Sequence, residues 1–453
     1  MRVLWIRFVV VTDPSVADHV LRNTADYDKP TDIYGLFDVV TSKENHATLF
    51  SSRTDEYWRM VRKAYAPAFH SKNLRQGFHH ELKVNNDLAE LLTALGPETP
   101  IEVHSLMERL ALEATGKVGF AKEFGVLRAA FPGSVGSVHS LDNIFTFVNA
   151  AIAESERRFQ NPLRKPLRLV WPGVRAGEHA CHQFHQAMAS LLDELKARGE
   201  EWAATDPSIA AHIIRATDKN GRRLPDDRLA AEIGTLFVAG ELTTADTISW
   251  AMFLISQHPE VEAKIVAELG ALGLLVTKAG GQPRAMTYED LGKVSYLTSA
   301  IKEAMRMLPS ASDGSFRESK RRVKMGGFEV PKGVVVWIPF YSMHNSSRNW
   351  PDAGQYMPER WLGDTTPSED QDASSDSKDV KPSAFLPFSV GPRNCVGQAM
   401  AKMTYTTTLA LLYSRFTFKL VQEGGAAAVE AQQHMSLSLQ PSKGIHMLCI
   451  PRV

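Results

Sequence analysis

Apolar and polar positions mark out the elements from the first residue onward. The run MRVLWIRFVVVT at 1–12 is apolar but broken by Arg2 and Arg7. It is far shorter than the roughly 20 residues that span a bilayer, and it predicts a strand. Asp13-Pro14 stops that strand and opens a helix through about Arg22, a normal use of proline in a first turn. DEYWRMVRKAY at 55–65 predicts a helix with Trp58 and Arg62 four apart on one face. Residues 82–124 read as two helices, and 140–160 and 178–200 as another pair joined by NPLRKPLRLVWPGV. That joint mixes Leu163, Leu167, Val170 and Trp171 with Arg164, Lys165 and Arg168, which suits a membrane interface or a polar-rimmed lid loop equally. From Asp226 to Ser256 the chain is apolar almost all round and predicts a long buried helix.

A further helix carries Glu303 and Arg306 and ends near Pro309. Strands are expected at 323–327 and 334–338 around a turn at Pro331-Lys332-Gly333. Residues 363–383 are rich in Ser and Asp with no apolar face, so a mobile surface insertion is expected there. A helix over 400–413 follows, and 437–451 reads as a closing hairpin turned at 441–444.

Composition adds mainly exclusions. At 453 residues a length rule suggests about three domains, while 44% apolar and 23% charged residues are ordinary for a globular body. Lys plus Arg equals Asp plus Glu at 51 each, so global charge argues for no nucleic acid and no acidic partner. Cys181, Cys395 and Cys449 are too few and too scattered for a disulfide framework, which fits a reducing compartment. Cys181 and Cys449 read as spare residues.

Cys395 reads differently. It stands in Phe385-Leu-Pro-Phe388-Ser-Val-Gly391-Pro-Arg393-Asn-Cys395-Val-Gly397, just ahead of an apolar helix. Backbone N–H groups and the dipole at a helix N-terminus favour a thiolate, the form that binds metal. Structural zinc needs about four ligands, and no second Cys or His stands at ligand spacing, whereas haem needs one. Gly391 permits a backbone conformation closed to other residues, and Gly397 lets the helix lie against a flat cofactor. Arg393 suits a propionate carboxylate and Phe388 shields the sulfur. Trp58 and Arg62 are placed to bind one propionate together, against the simpler alternative of an ordinary amphipathic helix.

The pattern Phe-x-x-Gly-x-Arg-x-Cys-x-Gly, matched by Phe388, Gly391, Arg393, Cys395 and Gly397, resembles the haem-thiolate loop of the cytochrome P450 superfamily. The resemblance implies a mainly α fold with a smaller β-rich lobe, a single haem-thiolate domain over 1–453, and haem b held by Cys395 as axial iron ligand. It assigns Trp58, Arg62 and Arg317 to the propionates. Glu303, Arg306 and Arg360 would form a structural network. Residues 310–315 fall where the family lines its substrate pocket. The family's oxygen-activation motif maps onto Ala239, Gly240, Glu241, Leu242, Thr243 and Thr244. Ala239 and Gly240 are expected to open a groove for a diatomic ligand, with Thr243 and Thr244 supplying hydroxyls. Leu242 departs from the motif, which has an acid there. Glu241 is rotated about 100° away and cannot simply take its place, while Asp246, three residues after Thr243, lies on a nearer face; the distant proton source is expected to be Asp246 or Glu241, through Thr243 and water.

The function so implied is a monooxygenase inserting one O2-derived oxygen atom into an apolar organic substrate. Electrons come indirectly from NADPH through a reductase, with cytochrome b5 as a possible second donor. Arg59 and Lys63 are the expected docking cations. Two other readings stand beside it: an oxygen-independent peroxide isomerase or dehydratase of the same fold, favoured slightly by Leu242, and a non-catalytic haem-binding fragment. Eukaryotic members begin with a membrane anchor, and this chain enters at a later strand-to-helix step. Either the anchor is absent, or the sequence is incomplete at its N-terminus and the protein sits on the cytoplasmic face of the endoplasmic reticulum or another organelle membrane. The 161–174 joint leaves peripheral membrane contact and a lid over the pocket both open.

Overall fold

The computed structural model describes residues 2–3, 6–44, 46–131, 144–164, 171–276, 283–362, 384–435 and 437–452. The expected insertion at 363–383, and Lys165, Leu167, Arg168 and Val170 of the joint, lie outside them. The chain falls into two compact units, one comprising Met1–Asp28, Leu82–Leu110 and Thr243–Val453, the other Lys29–Glu81 and Ala111–Leu242. The fold is mainly helical with a smaller β-rich part.

In the first unit the N-terminal run is two strands rather than one. Arg2–Val3 pairs antiparallel with Ile6–Val10, which runs parallel to Val335–Ile338 with Phe8 opposite Val335 and Val10 opposite Trp337. Ser315–Ser319 and Tyr27–Asp28 complete a five-stranded sheet. Asp13 caps the next helix, Pro14–Arg22, by accepting the N–H groups of Ser15 (2.9 Å) and Val16 (3.1 Å). That helix buries Ala17, Val20 and Leu21 in one cluster with Val336, Ile338, Phe340 and Leu386, which ties the sheet to the segment leading into the Cys395 loop.

The closing segment is not a hairpin. Leu439–Pro441 pairs with Gln433–Met435, while His446–Pro451 pairs with Phe416–Leu420 and with Ile101–Glu102. Between the two pairings Gly444 sits at φ +73°, a left-handed turn that favours glycine, and beyond it Met447 and Cys449 are buried.

In the second unit, Ile144–Gln160 and Pro172–Ala197 are bridged by Arg158, which pairs with Glu178 of the second helix (3.1 Å) and with buried Glu154 of its own (3.0 Å), to which Arg164 is also paired (2.6 Å). The second helix begins at Pro172, ahead of the expected 178, because proline is at home in a first turn. Ser71–Leu95 likewise begins well before the expected 82. Leu163 and Trp171 of the joint are exposed. The long helix Asp226–Ser256, with the limits its pattern predicts, contributes residues to both units.

Candidate haem-thiolate site

The Cys395 loop is fixed by its own backbone. The N–H of Cys395 donates to the Phe388 carbonyl at 2.9 Å, that of Asn394 to Gly391 at 3.1 Å, and that of Ser389 to Leu386 at 3.1 Å. Gly391 sits at φ +76°, and a Cβ there would stand 2.7 Å from the Leu21 carbonyl oxygen, so both backbone shape and close approach require glycine. The helix that follows, Gln398–Arg415, has Gly397 as N-cap with no side-chain cap. Its body is buried from Met403 through Ser414, yet at its head Cys395 and Ala399 are exposed, with Phe388, Arg393 and Gly397 half-buried. A thiol on an uncapped helix N-terminus beside an open, small-residue surface has the shape and donor chemistry for a flat cofactor bound through sulfur. Among the described residues no group of three or more His, Cys, Asp or Glu stands ready to hold a bare metal ion. The other two cysteines are buried, and burial pushes both thiols up to about 12, so neither competes as a thiolate.

Behind the loop, Glu303 binds Arg306 (2.9 Å), Arg360 (3.3 Å) and the indole N–H of Trp361 (2.9 Å). Arg306 is fully buried and also donates to the carbonyls of His344 (3.0 Å) and Gln355 (3.1 Å). A buried ion pair is tolerable only when its remaining hydrogen-bond capacity is met, as it is here. His344, which sequence reasoning missed, is fully buried and accepts the N–H of Leu386 at 2.8 Å. Its only sequence signal is an isolated histidine after the apolar run at 334–340.

Arg317 is 2% exposed and donates Nη1 to the Phe316 carbonyl at 2.8 Å. Among the described residues no carboxylate pairs with it. A buried guanidinium without an anion is costly, and a cofactor carboxylate supplies what the protein does not. In the second unit Trp58 is buried on the helix Glu56–Tyr65, whose N-cap Asp55 accepts the Trp58 N–H at 2.8 Å, and Arg62 stands half-buried one turn on. Arg59 and Lys63 of the same helix are exposed.

The long helix changes character where the motif falls. Ala239 is exposed and Val238, Gly240 and Thr243 are half-buried in an otherwise buried stretch. Gly240 does not itself open a groove: a Cβ there would come within 2.7 Å of Thr115 Oγ1, so its missing side chain admits Thr115. Ala239 and Thr243, one turn apart, form the open face. Leu242, Thr244 and Glu241 are buried, and the Thr247 hydroxyl donates to the Thr243 carbonyl at 2.7 Å.

Asp246 is fully buried and held by His104, Nε2 to Oδ1 at 2.8 Å, a partner the sequence did not reveal. Burial pushes the Asp246 carboxyl up and His104 draws it back. For His104 burial works against the charged ring, but Asp246, Glu108 and Glu102 outweigh it and hold the imidazole at about 9.

The family model described as Cytochrome P450 matches residues 1–448. This chain belongs to the cytochrome P450 family. As a P450 it is similar to Protein LUTEIN DEFICIENT 5, chloroplastic, of Arabidopsis thaliana (25% identity, 91% of this chain, 66% of the relative). It also resembles cytochrome P450 4V2 of Mus musculus (32% identity, 60% of this chain, 49% of the relative). A third relative is cyclooctat-9-en-7-ol 5-monooxygenase of Streptomyces melanosporofaciens (25% identity, 92% of this chain, 81% of the relative). The chain thus spans about two thirds and one half of the first two relatives. The crystal structure of the cytochrome P450DA heme domain superposes with a TM-score of 0.78 at 18% identity, over 98% of this chain and 88% of that one, which bears on the fold. Membership of the family implies haem b as cofactor. Among the described residues no helix is long and apolar enough to cross a membrane.

Proposed function

We propose that this P450 is a haem-thiolate monooxygenase that inserts one O2-derived oxygen atom into an apolar organic substrate, with electrons from an NADPH-dependent reductase. The observation that carries the reading is Cys395, an exposed thiol at the head of a buried helix in a loop rigid enough to hold it in place. Cys395 would bind the haem iron through its sulfur. Arg393 and Arg317 would pair with its propionates, and the family resemblance assigns Trp58 and Arg62 the same role; Phe388 would screen the sulfur, and Gly391 and Gly397 would allow the close approach. When bound, haem supplies O2 binding and activation, with the thiolate favouring O–O cleavage.

The chain's own residues bind, orient and deliver protons. Ala239, Gly240 and Thr244 shape the helix around Thr243, whose hydroxyl positions a proton for oxygen. Glu303, Arg306 and Arg360 brace the segment that presents Cys395. The substrate class rests on the Streptomyces relative, named as a cyclooctat-9-en-7-ol 5-monooxygenase. Exposed Leu163 and Trp171 support peripheral contact with an organelle membrane.

Leu242 gives the oxygen-independent alternative its one supporting observation. Product yield with O2, NADPH and reductase, set against yield with an organic hydroperoxide alone, separates the two. Product from the first system supports the monooxygenase. Rearranged hydroperoxide with no product from O2 would replace it and leave the fold untouched.

A further inference from the structure

The long helix has leucine where the motif has an acid, but a carboxylate stands one turn later. A step of four residues advances about 40° round a helix axis, so Asp246 lies on nearly the same side as position 242. Asp246 Oδ1 meets His104 Nε2 at 2.8 Å, and His104 Nδ1 stands 3.9 Å from Glu108 Oε1, one turn further along the helix Val103–Ala114. Side-chain exposure rises along this line, from 0% at Asp246 to 10% at His104 and 11% at Glu108. At its inner end, Asp246 Oδ2 accepts no well-formed hydrogen bond, although the Ser438 hydroxyl is near enough to favour the charged form. Three titratable groups therefore lead inward from Glu108, itself largely buried, to a fully buried carboxylate oxygen.

A purely structural pair needs only His104 and Asp246. Glu108 is surplus to it, and burial raises its carboxyl to about 7, against the pull of His104 and Arg109 and with the push of Asp246 and Glu102. Glu102 is otherwise engaged: its oxygens accept the N–H groups of His104 (2.9 Å), Ser105 (2.7 Å) and Ile445 (2.9 Å). That leaves Glu108 and His104, held at about 7 and about 9, as neighbours able to exchange a proton near neutral pH.

We propose that Glu108, His104 and Asp246 form a proton relay that serves oxygen chemistry in place of the missing acid at position 242. The proposal rests on the monooxygenase reading above. His104 passes its Nε2 proton to Asp246 Oδ1 and regains one at Nδ1 from Glu108, which is reprotonated from water. Asp246 then yields a proton towards Thr243, three residues earlier on the same helix. Each cycle moves one proton inward with no change of oxidation state. The 3.9 Å step between Glu108 and His104 is too long for a direct hydrogen bond and is closed by one water or a side-chain rotation.

The test uses the haem-loaded protein with its reductase and the compound giving the largest substrate-induced spectral shift in an apolar panel that begins with cyclooctat-9-en-7-ol. In H104Q, D246N and E108Q the product formed per NADPH should fall roughly a hundred-fold, the lower end for a lost proton-transfer group, with a matching rise in hydrogen peroxide and an increased solvent isotope effect. Turnover driven by an iodosylarene, which brings an oxygen atom and needs no proton, should change little.

A second readout needs no turnover. Because the folded His104 is held at about 9, the stability it contributes is fully present below its unfolded value and is lost as pH rises through 9. The difference in melting temperature between wild type and D246N should shrink over that window. Variants that stay coupled with an unchanged isotope effect, or that lose iodosylarene turnover equally, overturn the relay alone. A wild type that rearranges a hydroperoxide and makes no product from O2 overturns the monooxygenase reading and the relay with it.

Discussion

His344 Nε2 accepts the backbone N–H of Leu386 at 2.8 Å, and the same residue's carbonyl accepts Arg306 Nη1 at 3.0 Å. One residue, through its imidazole and its own carbonyl, thus joins the Glu303 network to the segment entering the Cys395 loop. Burial, reinforced by the Arg306 charge, holds the His344 imidazole down at about 3, so it stays neutral and able to accept. Since the folded value lies below the unfolded one, the unfolded chain binds the extra proton between about pH 6.5 and 3, so stability is lost as pH drops through that window, by up to about 1.4 kcal/mol per unit. His344→Phe should remove that slope and, by orphaning the Leu386 N–H, cost about 1–3 kcal/mol at neutral pH. Denaturant midpoints of both proteins between about pH 5 and 7.5, the range in which histidine titrates, followed through the haem absorbance, check this.

Gly391→Ala forces a Cβ into a left-handed conformation at φ +76° and to within 2.7 Å of the Leu21 carbonyl. A loss of about 2–4 kcal/mol is expected, concentrated in the loop. Haem content per chain after purification should drop sharply while far-ultraviolet circular dichroism is retained.

Arg317 separates cofactor binding from protein stability. Buried and without a carboxylate among the described residues, it burdens the haem-free chain, so Arg317→Met should stabilise the apoprotein by about 1–4 kcal/mol. The same change should speed haem loss to apomyoglobin roughly ten-fold, because a charge-assisted bond to a propionate disappears. Equal effects on both forms would remove Arg317 from the haem site.

Arg59 and Lys63 are exposed on the Trp58 helix in a chain of balanced global charge. If reductase docking uses them, Arg59→Glu should slow reduction, and added salt should slow the wild type, since exposed charges are screened beyond about 8 Å at physiological ionic strength. Stopped-flow reduction rates that ignore both changes would place docking elsewhere.

Local signals served the sequence reading best. The long helix and the five positions around Cys395 are legible because each rests on spacing within one segment. The closing hairpin fails because Leu439–Pro441 turns back on Gln433–Met435 just before it, while His446–Pro451 takes Phe416–Leu420, a tertiary pairing that no local alternation encodes. Gly240 was read as room for a ligand, and only the fold shows that Thr115 occupies that room. Asp246 was visible as a nearby acid, but its partner His104 lies 142 positions away in sequence. A lone histidine, whether His104 or His344, reads as an ordinary core residue until its neighbours are known.

Central to the account is Cys395 as the iron ligand, and the reduced, carbon monoxide-bound absorption spectrum tests it most directly. Wild type should show the long-wavelength band of thiolate ligation. Cys395→Ala should lose that band, and Cys395→His should shift it to the position of a histidine-bound haem. A thiolate band that survives Cys395→Ala would make another cysteine the ligand and contradict the site described here.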